Sequence, residues 1–265
     1  MRSSLFLIRE HEKTEIDAPL LATTIGAISD KWQATFEERW RRRKLEVALS
    51  YDIQWLTVSL PETNLAELRF RPARLIGTVL LDGRSNILDP RKGYFSSLTL
   101  DQGVKALGSE FDVSRIFTQQ FAYTPLPGSL VAASGLRFDR ASGGGQSFLT
   151  TERLSFGGPT TVRGYDRAGV NLLDLFGSVG ATTDVLVLNQ ELRFPILGDL
   201  RGVAFVDFGQ VTVEFEGARG KDSRLGTGIG LRYSTPVGVL RIDLGFPLRG
   251  QDKKGKIYFG LGQAY

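Results

Sequence analysis

The sequence predicts an all-β protein, an antiparallel transmembrane β-barrel of about twelve strands. Three observations point there. Apolar and non-apolar residues alternate with a period of two over runs of about 9–11 residues, the pattern of a strand between two unlike solvents. The face opposite the apolar one is rich in glycine, with Arg and Asp set between, which suits a packed polar lumen. Finally, short turn-like connections alternate with longer polar ones, so one end of the sheet carries turns and the other carries loops.

The expected strands lie near 3–15, 20–31, 44–58, 70–83, 94–102, 111–124, 130–140, 184–194, 202–213, 224–235, 238–248 and 256–265. The last five carry the alternation most clearly. Leu186 to Phe194 sets Asn189, Glu191 and Arg193 against an apolar face. In AFVDFG, Asp207 alternates with Ala204, Val206 and Phe208, and so faces inward. Leu225, Thr227, Ile229, Leu231 and Tyr233 oppose Gly226, Gly228, Gly230 and Arg232. Leu240, Ile242, Leu244 and Phe246 oppose Arg241, Asp243 and Gly245. Ile257, Phe259, Leu261 and Tyr265 oppose Tyr258, Gly260, Gly262 and Ala264. By phase, Arg232, Arg241 and Asp243 join Asp207 on the inner wall.

TPVG, PILGD, PLPG and NILDPRKG read as turns. EFEGARGKDS, GVKALGSE and the 141–183 segment read as loops on the other side. A soluble sandwich is the competing fold, but its outward face should be charged rather than glycine-rich. An even strand count with both termini on the turn side also fits a barrel, and closing the sheet removes edges that a bilayer cannot satisfy. Leu5 to Glu15 is therefore expected to pair with Ile257 to Tyr265. That seam should be short and weak, because the first strand carries Arg9, Glu10, His11, Glu12 and Lys13.

Composition removes several function classes. With no cysteine among 265 residues, a disulfide framework and a thiolate metal site are both excluded. The net charge of +4 is mild and its basic residues are dispersed, which argues against a nucleic-acid stripe. No apolar run is long enough for a secretory signal or a membrane helix. The single histidine, His11, sits among charges in REHEKTE and reads as solvated. Gly143-Gly144-Gly145 has no Gly-Lys-Ser/Thr after it, and GTGIG lies inside a strand, so neither is a nucleotide cradle. Arg41-Arg42-Arg43-Lys44 is either a basic turn or a contact with anionic headgroups. Tyr94, Phe121, Tyr123, Tyr233, Phe246 and Tyr265 fall near strand ends, as interfacial girdles do. No Ser-His-Asp set, carboxylate pair or metal-ligand cluster stands out. An enzyme has no site to rest on, and no cofactor is expected.

One stretch does not read as a strand: FGGPTTVRGYDRAG, Phe156 to Gly169. A loop that long inside a compact domain is usually functional or disordered. LSFGGPTTVRGYDRAG resembles the sixth-loop signature of the outer-membrane assembly-factor superfamily (BamA- and TamA-type barrels, also grouped as bacterial surface antigens). Its core is Val162-Arg163-Gly164-Tyr165. DGRSNILDPRKGYFSSLTLDQG, AFVDFG, RLGTGIGLRYSTPVGVLRIDLGFPL and YFGLGQAY resemble further family segments, in the family's order. The resemblance covers roughly residues 70–265.

The resemblance implies that this loop folds back into the lumen and that Arg163 pairs with Asp207 on the inner wall. A guanidinium forks onto a carboxylate bidentately, which makes such a pair directional. Phe259, Gly262 and Tyr265 stand where the family carries its C-terminal strand signal. Members usually have periplasmic domains ahead of a sixteen-strand barrel. Here the first strand begins at once and twelve are counted, so residues 1–265 read as one barrel domain. The implied function is insertion or translocation of proteins at the bacterial outer membrane. The implied partners are outer-membrane lipids, client outer-membrane or secreted proteins, and accessory assembly subunits, with no nucleic acid. A two-partner-secretion pore and a shortened barrel without activity of its own share the same motif and stay open as alternatives.

Overall fold

Thirteen strands form one antiparallel sheet in this computed structural model, which describes residues 2–18, 23–59, 67–110, 112–143, 156–166, 182–215, 218–250 and 254–264. They are β1 (Arg2–Ala18), β2 (Thr23–Arg42), β3 (Leu45–Ser59), β4 (Leu68–Phe70), β5 (Ala73–Asp82), β6 (Gly93–Gly103) and β7 (Val113–Leu126). There follow β8 (Leu130–Gly143), β9 (Thr182–Leu197), β10 (Leu200–Phe215), β11 (Ala218–Thr235), β12 (Gly238–Pro247) and β13 (Lys256–Leu261). Every strand on the main path pairs with its neighbour in sequence, from β1 to β13, and β4 is a short spur on β3. The main path thus holds the twelve strands that the alternation predicts.

Several boundaries differ: EFEGARGKDS, expected as a loop, is almost wholly strand, since β10 runs to Phe215 and β11 starts at Ala218. The expected 70–83 strand is split, because Pro72 has no N–H to donate; its carbonyl instead accepts from Gln54 N at 2.9 Å. The second strand runs on to Arg42, well past residue 31. In that extension Trp32, Phe36 and Trp40 lie on one face, while Gln33, Thr35, Glu37 and Arg39 lie on the other. Of the strand residues expected around 20–31, residues 20–22 lie outside those described.

The sheet is inside out relative to a water-soluble protein. Ile229, Leu231, Ile242, Phe259 and Leu261 are 63, 46, 46, 73 and 65% exposed, whereas Asp139, Glu191, Asp207 and Asp243 are fully buried. Leu244 is half-buried on the same outward face. All three tryptophans face outward: Trp32 sits directly across from Trp55, and Trp40 lies eight residues further along β2. Eight residues rise about 27 Å, or about 20 Å along the normal of a tilted barrel strand, close to the height of a barrel's apolar band. The girdle is therefore set by tryptophans, and two aromatics expected in it are elsewhere. Phe121 and Tyr123 point inward and form a buried cluster with Val131, Ala133 and Ala264.

Contacts across the interior curl the sheet into a barrel-like wall. In the β5–β6 connection, Asp89 accepts from Arg201 Nη1 of β10 and from Gln263 Nε2, both at 2.9 Å. Pro90 O accepts from Arg193 of β9 at 3.3 Å. The expected seam is absent: no ladder joins β1 to β13 among the described residues. β13 ends at Leu261 rather than at 265, because Gly262, at φ 89°, turns the chain off the wall. Ala264 then lands in the cluster on β7 and β8, on the far side of the lumen mouth. Tyr265 lies outside the described residues.

Candidate functional site: a loop fastened to the lumen wall

The segment 156–166 lies inside the barrel and is held by side chains from five strands, β9 to β13, with Arg224 the one from β11. Its apolar foot is Phe156 and Val162, which pack with Val185 and Val187 of β9 and with Tyr165 and Val211 at the margin. Period-two alternation puts Val185 and Val187 on the same inward face as Asn189, Glu191 and Arg193. One strand thus supplies both the apolar seat and the polar partners of the loop.

Arg163 is the centre of the site. It is 1% exposed, and Asp207 and Glu191 beside it are fully buried. Asp207 Oδ2 accepts from Arg163 Nε at 2.7 Å and from its backbone N–H at 3.1 Å; Oδ1 accepts from Nη2 at 2.9 Å. Glu191 Oε1 accepts from Nη1 at 2.7 Å, and Asp243 lies 3.5 Å from the same nitrogen. The guanidinium carbon also sits 3.4 Å from the centroid of the Phe205 ring, so one face of the cation is covered by an aromatic. Burial alone would lower the pKa of this loop guanidinium; Glu191, Asp207 and Asp243 more than offset that and hold it above its ordinary value.

The other wall residues extend this network. Arg232 donates to Asp243 Oδ1 at 2.6 Å and to Glu191 Oε1 at 3.4 Å. Arg241 lies 3.9 Å from Asp243 and donates to Pro159 O of the loop at 3.2 Å. Arg193 is paired with Glu191 at 2.9 Å. Asn189 Nδ2 donates to Asp207 Oδ1 at 2.8 Å and to Thr161 O at 2.6 Å, and Asn189 Oδ1 accepts from Arg137 at 2.9 Å. Arg163, Arg193, Arg232 and Arg241 each have a carboxylate within reach, the condition for tolerating charge away from water.

Close backbone approach completes the seat. A Cβ at Gly226 would lie 2.0 Å from the Arg163 carbonyl oxygen, so only glycine lets this part of the wall meet the loop. Gly164 N donates to Tyr258 Oη at 3.0 Å, and Tyr258 in turn donates to Tyr165 O at 2.9 Å. The Tyr165 hydroxyl donates to Arg249 O at 2.7 Å and accepts from Arg249 N at 3.1 Å. Val162, Arg163, Gly164 and Tyr165 are therefore all fastened, with Tyr258 serving both Gly164 and Tyr165. Residues 167–169 of the motif, like Gly144 and Gly145, lie outside the described residues.

Of the residues singled out in the sequence, Arg163, Asp207, Arg232, Arg241 and Asp243 converge on one cluster. Phe259 does not: it is 73% exposed on the outer face. Glu191, Arg193, Asn189 and Tyr258 were visible as inward by phase, but nothing in the sequence tied them to the loop. A second inward cluster went unmarked. Arg74 bridges Asp52 and Asp101 at 2.9 Å each, and Arg115 pairs with Asp139 at 2.9 Å.

Known proteins share this architecture. The crystal structure of BamA from Haemophilus ducreyi lacking POTRA domains 1–3 superposes with a TM-score of 0.65 at 16% identity, covering 97% of this chain and 59% of that one. Outer envelope protein 80, chloroplastic, of Arabidopsis thaliana is 33% identical over 123 residues, 43% of this chain and 15% of that protein. The chain thus spans only part of the length of both relatives. The Omp85 superfamily domain matches residues 9–265, nearly the whole chain. An outward apolar face, a polar lumen and a fastened VRGY loop are joined by a sequence match of that extent, and the chain belongs to the Omp85 superfamily of outer-membrane β-barrels.

Proposed function

We propose that this barrel acts in inserting or translocating proteins at the outer membrane, by edge addition of client strands to its open seam. The observation that carries the reading is the free edge of β13. This strand pairs with β12 over only six residues, Lys256–Leu261, and its other side carries no ladder among the described residues. Unpaired N–H and C=O groups at bilayer depth are costly, and an incoming strand is the partner that satisfies them with main-chain bonds alone. Its partners in this reading are outer-membrane lipids, client outer-membrane or secreted proteins, and accessory assembly subunits. The fastened loop favours this route over passage of an extended chain through the lumen, because residues 156–166 occupy the lumen beside β9 to β13. Residues 1–265 are taken as one barrel domain in the same reading.

A photo-reactive residue placed at Ile257 or Phe259 tests it in reconstituted vesicles. Adducts with a folding client barrel are expected at these positions and not at Ile229, which faces lipid two strands away. Equal adduct yields at all three positions would sink the reading.

A further inference from the structure

The run Arg41-Arg42-Arg43-Lys44 stands at the turn end of the wall, outside the loop network, and all four residues are exposed. Phase sorts them. Arg41 shares the inward side of β2 with Arg39 and lies opposite Glu46. Arg42 shares the outward side with Trp40, and Arg43 and Lys44 form the β2–β3 turn just beyond. Two residues past the rim tryptophan, Arg42 lies about 5 Å beyond the apolar band, at the depth of the lipid headgroups. The carboxylates nearby are already taken. Arg39 holds Glu37 at 2.9 Å and Glu46 at 3.0 Å, and Arg84 holds Asp82 at 2.7 Å. Glu38, the outward carboxylate of β2, is about 13 Å back along the strand and accepts from Ser3 Oγ. Arg42, Arg43 and Lys44 have no acidic partner among the described residues.

Arg43 is held at φ 53°, backbone that asparagine or glycine adopts with less strain, so a cation occupies this turn at some cost. The arrangement recurs on β6. Gly83 N donates to Tyr94 O and Ser85 N to Lys92 O, both at 2.8 Å, which carries the β5–β6 ladder past its end. Lys92 thus follows the outward Tyr94 as Arg42 follows Trp40, and it too is exposed without an acidic partner among the described residues. The remaining turns at this end, 127–129, 198–199 and 236–237, contain no cation. At headgroup depth a wall immersed in a bilayer is covered by headgroups, and only their charge is left to decide. A zwitterionic headgroup brings a cation with its phosphate, whereas an anionic one leaves a charge for Arg and Lys to neutralise. We infer that the β2–β3 turn binds an anionic phospholipid of the periplasmic leaflet, its phosphodiester on Arg42, Arg43 and Lys44 and its glycerol backbone against Trp40. Guanidinium forks suit the phosphodiester oxygens. Lys92, three strands away, extends the same anion-attracting sector. Because β2 pairs directly with β1, the bound lipid stands beside one lip of the open seam.

Trp40 is a built-in reporter of this site. In a chain that keeps Trp40 alone (Trp32→Phe, Trp55→Phe), reconstituted in phosphatidylcholine vesicles, its quenching reads which lipid sits beside it. Brominated phosphatidylglycerol should associate there about fivefold more strongly than brominated phosphatidylcholine. Arg42→Gln, Arg43→Asn and Lys44→Gln together should erase that preference. Asparagine suits the backbone at 43, so the folded, heat-modifiable mobility of this variant should be unchanged. Arg42→Lys with Arg43→Lys should keep most of the preference. Arg219→Gln with Lys221→Gln, at the loop end of β11, should leave it intact. Equal quenching by the two lipids would overturn the inference. So would a preference that survives the triple replacement, or one that falls as far when Arg219 and Lys221 are replaced. Displacement of the brominated lipid by inorganic phosphate would overturn it as well, by showing a site for soluble anions.

Discussion

At the scale of single residues, Arg163 decides whether the loop stays in the barrel. Its fork is split between Asp207 and Glu191, and its backbone N–H also goes to Asp207. Removing one partner of a buried pair strands the other charge, at about 3–5 kcal/mol. Arg163→Ala and Asp207→Ala should each lower stability in urea titrations of the folded barrel by about that amount, with the double variant losing less than the sum. Strict additivity would show that the two do not act on each other. Arg163→Lys should recover little, because a single ammonium cannot hold Asp207 bidentately and reach Glu191 as well. Gly226→Ala is the complementary test: the added methyl meets the Arg163 carbonyl, so the loop should become accessible to protease while the strands stay intact.

At the scale of elements, the strands are stabilised differently on their two faces. Outward, β2 and β3 place Trp32, Trp55 and Trp40 at the two rims of the apolar band. Single-tryptophan variants should be quenched strongly by lipids brominated near the headgroup and weakly by lipids brominated at the chain end. The reverse order would move the band. Inward, β3, β5 and β6 are tied by Arg74 between Asp52 and Asp101, all nearly fully buried. Arg74→Met removes the cation that serves two carboxylates and should cost about 3–5 kcal/mol in the same titrations. Replacing all three by apolar residues of similar volume should restore most of the loss, because a buried ionic cluster is weak evidence for net stability.

At the scale of the whole molecule, the barrel is curled by contacts that skip the sheet. Asp89 takes Arg201 and Gln263 together, which draws the β5–β6 connection, the β9–β10 end and residues 262–264 to one mouth of the lumen. Gly262→Ala disfavours the turn at φ 89° and should lengthen β13. Slower amide hydrogen exchange at residues 262–264 is the expected result, and unchanged exchange would show that the bend is held by the mouth contacts alone.

Period two and the glycine-rich inner face were enough, from sequence, to give a membrane barrel and the inward phase of Asp207, Arg232, Arg241 and Asp243. These are local properties: a strand's facing is fixed by its own pleat, and two unlike solvents print it on the residues. The VRGY resemblance directed attention to one loop. Beyond the Arg163–Asp207 pair that the resemblance implied, which inward charge meets which was not legible, because Glu191, Asn189 and Arg193 carry the same phase as many other inward positions until the sheet curls. Nor was the missing β1–β13 ladder: alternation reaches residue 265 with only Gln263 interrupting it, but Gly262 and the Asp89 mouth turn the chain away before it can pair. Pairing across a lumen and closure of a seam depend on curvature summed over twelve strands, and only the tertiary structure sets that.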